Sequence, residues 1–524
     1  MKKIFYVTLI VLTGLISACK KNPNVTPVDN SKTASKPSTL DLIRDSIYLY
    51  AKEDYLWFDQ LPDSATFKPR SFTNADDLTA LTAELDKLSQ YAINPATNLP
   101  YEYYAPQPGS AKYSFIDDGT VSAELNGVKG DFGIDVQYYK YINDLRIEYV
   151  YPGSPAGLAG LTRGCRITAI QGVTSINYDG AGFGSGTNLK AVSNAIYNSG
   201  TITMTVTTLS GASKTVSLTT ASYNVNPVLK DTVLTASDGH KIGYIVFNSF
   251  TSDAVADPVL NAAFSNFTSQ NVSDLVVDLR YNGGGYVSTA EYLDNLIVPA
   301  SKNGTLMYNT YYNSNLVQGK DPLLGKQWRK DPVSGQDYNY QFDYSVAGNA
   351  VNFKKAGSLN VNRVFFIVTG QTASASELTV NNLRPEMNVQ IVGDTSYGKP
   401  VGFFNININK YEMFTPEFST LNSANQGGYY AGFAPGSTTY PGFHDLDDLS
   451  KDFGDPTEGL LADILSFINV GTYAVPKPII QSLNSSIQTF SLGQSRAISR
   501  DVHKNKFTGL VFNKKLKQKK VGTN

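Results

Sequence analysis

A chain of 524 residues is longer than one hydrophobic core serves, and its length is that of about three domains. Hydrophobic residues make up 41% and charged residues 17%, which fits a folded globular protein and excludes a disordered one. With 44 basic against 45 acidic side chains, the net charge of −1 sets up no global field toward nucleic acid or an acidic membrane. No nucleic-acid partner is expected, and function has to be read from local motifs.

Lys2 and Lys3 precede an apolar run over 4–16 that ends in Ser17-Ala18-Cys19. This predicts a secretory signal peptide over 1–18, too short and too close to the start to read as a stable membrane span. The ending resembles a bacterial lipobox, which implies acylation of Cys19 and a membrane partnership through the attached lipid. Cys165 is the only other cysteine, so no intramolecular disulfide is expected in the mature chain. Export without disulfides is compatible with a bacterial cell envelope. Lys20 follows Cys19 with no Asp to suggest inner-membrane retention, which favours the outer membrane. Residues 19–37, rich in Lys, Asn, Pro, Ser and Thr, read as a tether.

A helical unit is expected over 38–105. Leu40, Ile43, Ile47 and Tyr50 recur at helical spacing behind the capping residues Ser38 and Thr39, and Leu78, Leu81, Leu85 and Leu88 repeat the pattern behind Asn74. Both stripes read as core.

Over 118–222 the texture becomes short and β-rich. Gly130-Asp131-Phe132-Gly133-Ile134-Asp135-Val136 leads through a strand at 146–150 into Tyr151-Pro152-Gly153-Ser154-Pro155-Ala156-Gly157-Leu158-Ala159-Gly160-Leu161. A strand at 166–170, a helical stripe of Leu189, Val192 and Ile196, and a strand at 201–209 follow. This order resembles a PDZ domain of the type found in bacterial envelope proteases. The resemblance implies that a peptide adds as a strand beside the sheet, its terminal carboxylate held by backbone N–H groups of a glycine-containing loop. Phe132, Gly133 and Ile134 would form that loop, with Leu189, Val192 and Ile196 lining the groove. Cys165 stands where such domains commonly have Asp and reads as a packing substitution. The glycine-rich run at 180–186 lacks a phosphate-site lysine and a strand–helix setting, so it reads as a loop.

Residues 226–472 alternate strands and helices, as an α/β domain does. Apolar strands are expected at 243–247, 274–279 and 364–368, interrupted by a Tyr-rich insertion over 301–356 that reads as an elaboration over the sheet. The C-terminal extension over 473–524 is polar. Its last 30 residues carry nine Lys or Arg against one Asp, and it reads as a solvated tail.

Three pieces of the α/β region carry chemistry. The strand at 364–368 runs into Thr369-Gly370-Gln371-Thr372-Ala373-Ser374-Ala375-Ser376-Glu377-Leu378, with a helix starting at or just after Ser374. A serine there stands at the positive end of a helix, beside free backbone donors. Gly393-Asp394-Thr395-Ser396-Tyr397-Gly398-Lys399-Pro400 offers a lysine that can turn back toward the serine. Asp278-Leu279-Arg280-Tyr281-Asn282-Gly283-Gly284-Gly285 is a strand end running into glycines, which expose backbone N–H groups. A serine needs a base, and the three histidines His240, His444 and His503 sit in no motif. A lysine serves if burial lowers its pKa.

Together the three pieces resemble the carboxyl-terminal processing peptidases, or tail-specific proteases. That family combines a helical N-terminal part, a PDZ domain and an α/β peptidase core of crotonase-like (ClpP-type) fold with a Ser–Lys dyad. The resemblance implies Ser374 as nucleophile and Lys399, 25 residues later (399 − 374 = 25), as general base. It implies an oxyanion hole from the N–H groups of Ala375 and of Gly283 or Gly284. It further implies protein or peptide C-termini as substrates, and neither metal nor cofactor. Two positions depart from the family: Pro400 replaces the usual Gly, and Phe403 stands where many members carry a Gln that orients the lysine. Ser376 and Glu377 are expected to support the helix start rather than react. The expected protein is a lipid-anchored envelope endopeptidase. The competing reading is a catalytically inactive PDZ-type lipoprotein that binds protein C-termini.

Overall fold

The structure is a computed structural model that describes residues 36–180, 185–330, 337–473, 490–503 and 508–511. The expected signal peptide, Cys19 and most of the tether lie outside the described residues. No described helix is long and apolar enough to cross a membrane.

Helix α1 (Thr39–Asp54) begins where Ser38 and Asp41 satisfy each other's free amides: Asp41 N–H donates to Ser38 Oγ and Ser38 N–H to the Asp41 carboxylate. Its stripe of Ile43, Ile47 and Tyr50 is buried. Helix α2 (Asp77–Ser89) is capped by Asp76, which accepts from Thr79 N–H. Asn74 accepts from Asp76 N–H, so it stands two residues before the cap rather than at it. Leu81, Leu85 and Leu88 join α1 in one core.

A five-stranded antiparallel sheet follows, with its strands in chain order: β1 (Ile134–Tyr138), β2 (Leu145–Val150), β3 (Arg166–Ile170), then helix α3 (Thr187–Tyr197), β4 (Thr201–Thr207) and β5 (Ser213–Thr219). Strand β4 shows why one face is buried: Ile202, Met204 and Val206 point inward and the intervening threonines outward. Leu189, Val192 and Ile196 of α3 close this separate core, and Cys165 is buried in it.

The largest layer is a six-stranded sheet of β6 (Val228–Thr235), β7 (Lys241–Phe247), β8 (Val272–Asp278), β12 (Arg363–Val368), β13 (Asn388–Gly393) and β16 (Gly442–His444), in that order. All neighbours pair in parallel except β6 with β7. Its strands are apolar on both faces because both are covered. Leu275, Val277, Val364 and Phe366 face α4 (Asp253–Ser269) and α5 (Val287–Ile297), while Val276, Phe365 and Ile367 face α7 (Gly459–Val470).

A second six-stranded sheet has the order β9 (Gly284–Tyr286), β17 (Gly509–Val511), β14 (Val401–Phe403), β15 (Pro416–Asn422), β10 (Leu306–Tyr312) and β11 (Ala350–Asn352). The Tyr-rich stretch thus supplies strands to this sheet, and Tyr312, Tyr340, Phe342 and Tyr344 are buried in the main core.

The expectation of a solvated C-terminal tail is overturned for 490–503 and 508–511. Helix α8 (Leu492–Val502) buries Ile498 and Val502 in the core of the five-stranded sheet, and β17 lies inside the second sheet. Ile498 and Val502 are four residues apart and so share one face of a helix. In a segment this basic, the polar composition masked that short apolar face.

Candidate active site

Strand β12 ends at Val368, and helix α6 (Ala375–Leu383) begins one residue after Ser374. Ser374 has φ 62° and ψ −107°, a conformation that disfavours side chains and costs about 1–3 kcal/mol. The surrounding loop imposes it. Ala373 N–H donates to Asn282 O at 3.0 Å, Thr372 Oγ1 donates to Leu279 O at 2.7 Å, and Ser374 N–H donates to Glu377 Oε2 at 2.9 Å. The Ser374 side chain is buried, and its Oγ has no hydrogen-bond partner among the described residues.

Glu377 connects this turn to the lysine loop. Its carboxylate accepts from Lys399 N–H at 2.8 Å, Gly398 N–H at 2.7 Å and Ser396 Oγ at 2.6 Å, besides Ser374 N–H. Burial raises its pKa, and the four donors counter that by favouring the carboxylate. The support expected for Ser376 and Glu377 is visible here, and for Glu377 it reaches further than the helix start. Ser376 Oγ donates to Asn282 O at 3.0 Å.

Lys399 is fully buried, and burial holds its pKa well below the usual lysine value. Nζ donates to Thr508 O at 2.5 Å and to Tyr113 O at 3.4 Å, and lies 3.8 Å from the centre of the Phe403 ring. Two backbone carbonyls and an aromatic face therefore orient the amine where a Gln side chain was missing. The three histidines have other partners: His240 meets Asp238 and Asp274, His444 meets Asp394, and His503 meets Asp135 and Glu148.

The glycine loop lies against the nucleophile. A Cβ placed on Gly284 would sit 3.1 Å from Ala375 N, and Gly284 itself has φ +109°. Gly284 N–H donates to Asn282 Oδ1 at 2.9 Å, so it is already engaged. Among the described residues the amides of Gly283 and Ala375 have no acceptor, so of the two glycines Gly283 has the available donor. The loop is anchored through Asn282, whose Nδ2 donates to Phe247 O, and through Arg280, buried against Asp278, Asp447 and Glu458.

The structure places the candidate peptide-binding residues differently from expectation. Phe132 is buried, and Gly133, at φ +79°, donates its N–H to Asp131 Oδ1 at 2.8 Å. Gly133 O accepts from Tyr151 N–H, and Ile134 opens β1. The Gly133 amide is therefore not free for a carboxylate. Its lack of a side chain serves packing, since a Cβ there would meet Ser154 Cβ at 2.0 Å. Leu189, Val192 and Ile196 do lie together, but they pack in one core with Ile498 and Val502 of α8. Sequence reading missed Tyr113, Thr508 and Asn282 as partners of the site. Asn282 lies inside the glycine motif, whereas Tyr113 and Thr508 contribute backbone carbonyls that carry no residue-type signal.

Residues 241–428 match the model of Peptidase family S41. A carboxyl-terminal-processing protease of Picosynechococcus sp. is 24% identical over 281 residues, covering 53% of this chain and 56% of that protein. A carboxy-terminal processing protease of Bacillus subtilis (strain 168) is 26% identical over 186 residues, covering 34% of this chain and 31% of that protein. The chain thus matches little more than half the length of these relatives at most. A solved structure from Bacteroides fragilis NCTC 9343, described as an S41 protease, superposes with a TM-score of 0.54 at 22% identity. It covers 81% of this chain and 96% of that one, and it supports the multidomain α/β fold.

Proposed function

We propose that the chain is a serine endopeptidase that cuts polypeptides near their carboxyl termini with Ser374 as nucleophile and Lys399 as general base. One observation carries this: a buried serine hydroxyl without a partner, on a strained turn at a helix start, is tied through the single carboxylate of Glu377 to a buried lysine of lowered pKa. Ser374 Oγ adds to the substrate carbonyl while Lys399, neutral, takes the hydroxyl proton. The carbonyl oxygen becomes an oxyanion facing the N–H groups of Ala375 and Gly283. Collapse breaks the C–N bond, the leaving amine takes the proton from Lys399, and water then releases the acyl group by the same steps. The PDZ-like reading of the five-stranded sheet supports recognition of an extended tail by strand addition rather than by the Gly133 amide.

Ser374→Ala and Lys399→Ala are each expected to lower turnover by about 10⁴-fold or more, with the double variant little worse, because the two act as a unit. Activity is expected to rise with pH through one apparent pKa below that of free lysine, since the neutral amine is the base. Lys399→Arg is expected to be inactive at every pH tested. Near-normal turnover by folded Ser374→Ala, judged by circular dichroism, would refute the assignment.

A further inference from the structure

The extension that composition marks as a polar tail passes through both peptide-binding places named above. Strand β17 lies between β9 and β14, pairing in parallel with each through Gly284↔Gly509 and Phe403↔Val511. Gly509 N–H donates to Gly283 O at 3.0 Å, beside the proposed oxyanion donor. One residue earlier, Thr508 O takes a hydrogen from Lys399 Nζ at 2.5 Å. The extension's own backbone is thus in direct contact with the candidate base. The glycine loop and the Val401–Phe403 edge thus form a slot one strand wide, filled by the chain's own backbone.

Helix α8 fills the second place. Ile498 and Val502 belong to one core with Leu189, Val192 and Ile196, the residues expected to line a peptide groove, and α8 lies beside β1. Polar contacts fix the helix at several points. Phe490 N–H donates to Lys140 O at 2.8 Å, and Tyr178 Oη to Asp501 Oδ2 at 2.6 Å. The Arg496 guanidinium meets both carboxylate oxygens of Asp394, in the loop that carries Lys399. His503 Nε2 lies 2.9 Å from Glu148, whose carboxylate also accepts from Gln371, three residues before Ser374. One segment of the chain therefore shares the core of the sheet unit, meets the lysine loop through Arg496 and reaches the nucleophile loop through Glu148.

We propose that residues 490–503 and 508–511 form a built-in inhibitor of this peptidase, in which α8 occupies the peptide groove and β17 occupies the substrate slot, so that the enzyme is latent until they are displaced. The proposal rests on the peptidase reading above. The displacing agent is an extended polypeptide able to add as a strand between β9 and β14, which is the chemistry expected of the substrate. Latency then follows from competition: a segment tethered to its own site acts at a high effective concentration, and a free peptide has to overcome it.

The test uses the full chain with two substitutions that attack the segment and leave the catalytic groups in place. Gly509→Pro removes the amide that donates to Gly283 O, and Ile498→Asp puts a charge in the apolar groove. Each is expected to raise kcat/KM on a short chromogenic peptide about 10-fold or more, and a synthetic peptide of residues 490–511 added in trans is expected to reverse the gain. Unchanged or lower kcat/KM in both variants, with circular dichroism matching the parent, overturns the proposal. A binding arm separates the two readings. In Ser374→Ala carrying a site for an unrelated protease within 474–489, cutting and exchange should free the seat for fluorescently labelled 490–511 peptide. Saturable binding supports the inhibitor and its absence overturns it, whether or not any form cleaves peptides. Loss of turnover in every form, with binding intact, instead removes the peptidase reading.

Discussion

The glycine loop beside Ser374 and the Gly133 loop of the five-stranded sheet are both strand-end turns containing a positive-φ glycine, but their amides are used differently. Beside Ser374, Asn282 engages Gly284 N–H and leaves the amides of Gly283 and Ala375 without an acceptor among the described residues. In the sheet unit, Asp131 takes the Gly133 amide, and an anion already occupies the place where a substrate carboxylate was expected. A glycine-rich turn is thus a site only when its neighbours leave donors unmatched. The two regions also differ in what braces them. The Ser374 turn is tied down by buried charge through Glu377 and Arg280, while the sheet unit's core takes in two apolar side chains of α8.

The largest test of that contrast is Glu377→Ala. It leaves four buried donors without their acceptor and is expected to cost about 3–5 kcal/mol of folding stability, read from urea melts. The folded fraction should lose about 10²-fold or more in kcat with KM little changed, because Glu377 positions the turn without touching substrate. Glu377→Gln should recover part of the stability. A kcat within about twofold of the parent would show that the Ser374 turn holds its geometry without this brace.

Gly133→Ala should have a middle effect and a different character. Its Cβ would overlap Ser154, lying 2.0 Å from that Cβ, and the positive φ adds strain, so a loss of about 1–3 kcal/mol or more is expected. Turnover of short chromogenic peptides by the folded protein should stay within about twofold, since those peptides need only the Ser374 region. A loss of turnover as large as that of Glu377→Ala would erase the distinction between the two loops.

The smallest effect is expected at Phe403. The ring beneath Nζ favours the ammonium form, so Phe403→Leu should lower the lysine pKa further and move the activity profile to lower pH by less than about one unit. The sign follows from the proposed chemistry: with the neutral amine as base, removing a contact that favours its charged form extends the neutral form downward in pH. A shift to higher pH would mean that the ring acts by excluding water rather than by contact with the cation.

Several parts of the site were legible in the sequence because their signals are local. A buried strand, a turn of small residues and a helix start mark Ser374 within a dozen residues, and a run of glycines after Leu279 marks the donor loop. Both depend on residue types that the local backbone demands. The stripes of α1, α2 and α3 were legible for the same reason, since a helix sets its own period.

The tertiary structure alone decided how those pieces meet. Lys399 is oriented by the carbonyls of Tyr113 and Thr508, which are 286 and 109 residues away along the chain. A backbone carbonyl is offered by every residue type, so nothing in the letters at 113 or 508 announces that role. The same holds for β17, whose place between β9 and β14 depends on two strand edges lying one strand apart. Composition marked the last 30 residues as basic and polar, and the three residues Gly509-Leu510-Val511 within them are too short an apolar run to stand out. What fixes it in the sheet is its backbone, and backbone pairing is determined by where the chain is brought, not by its charge.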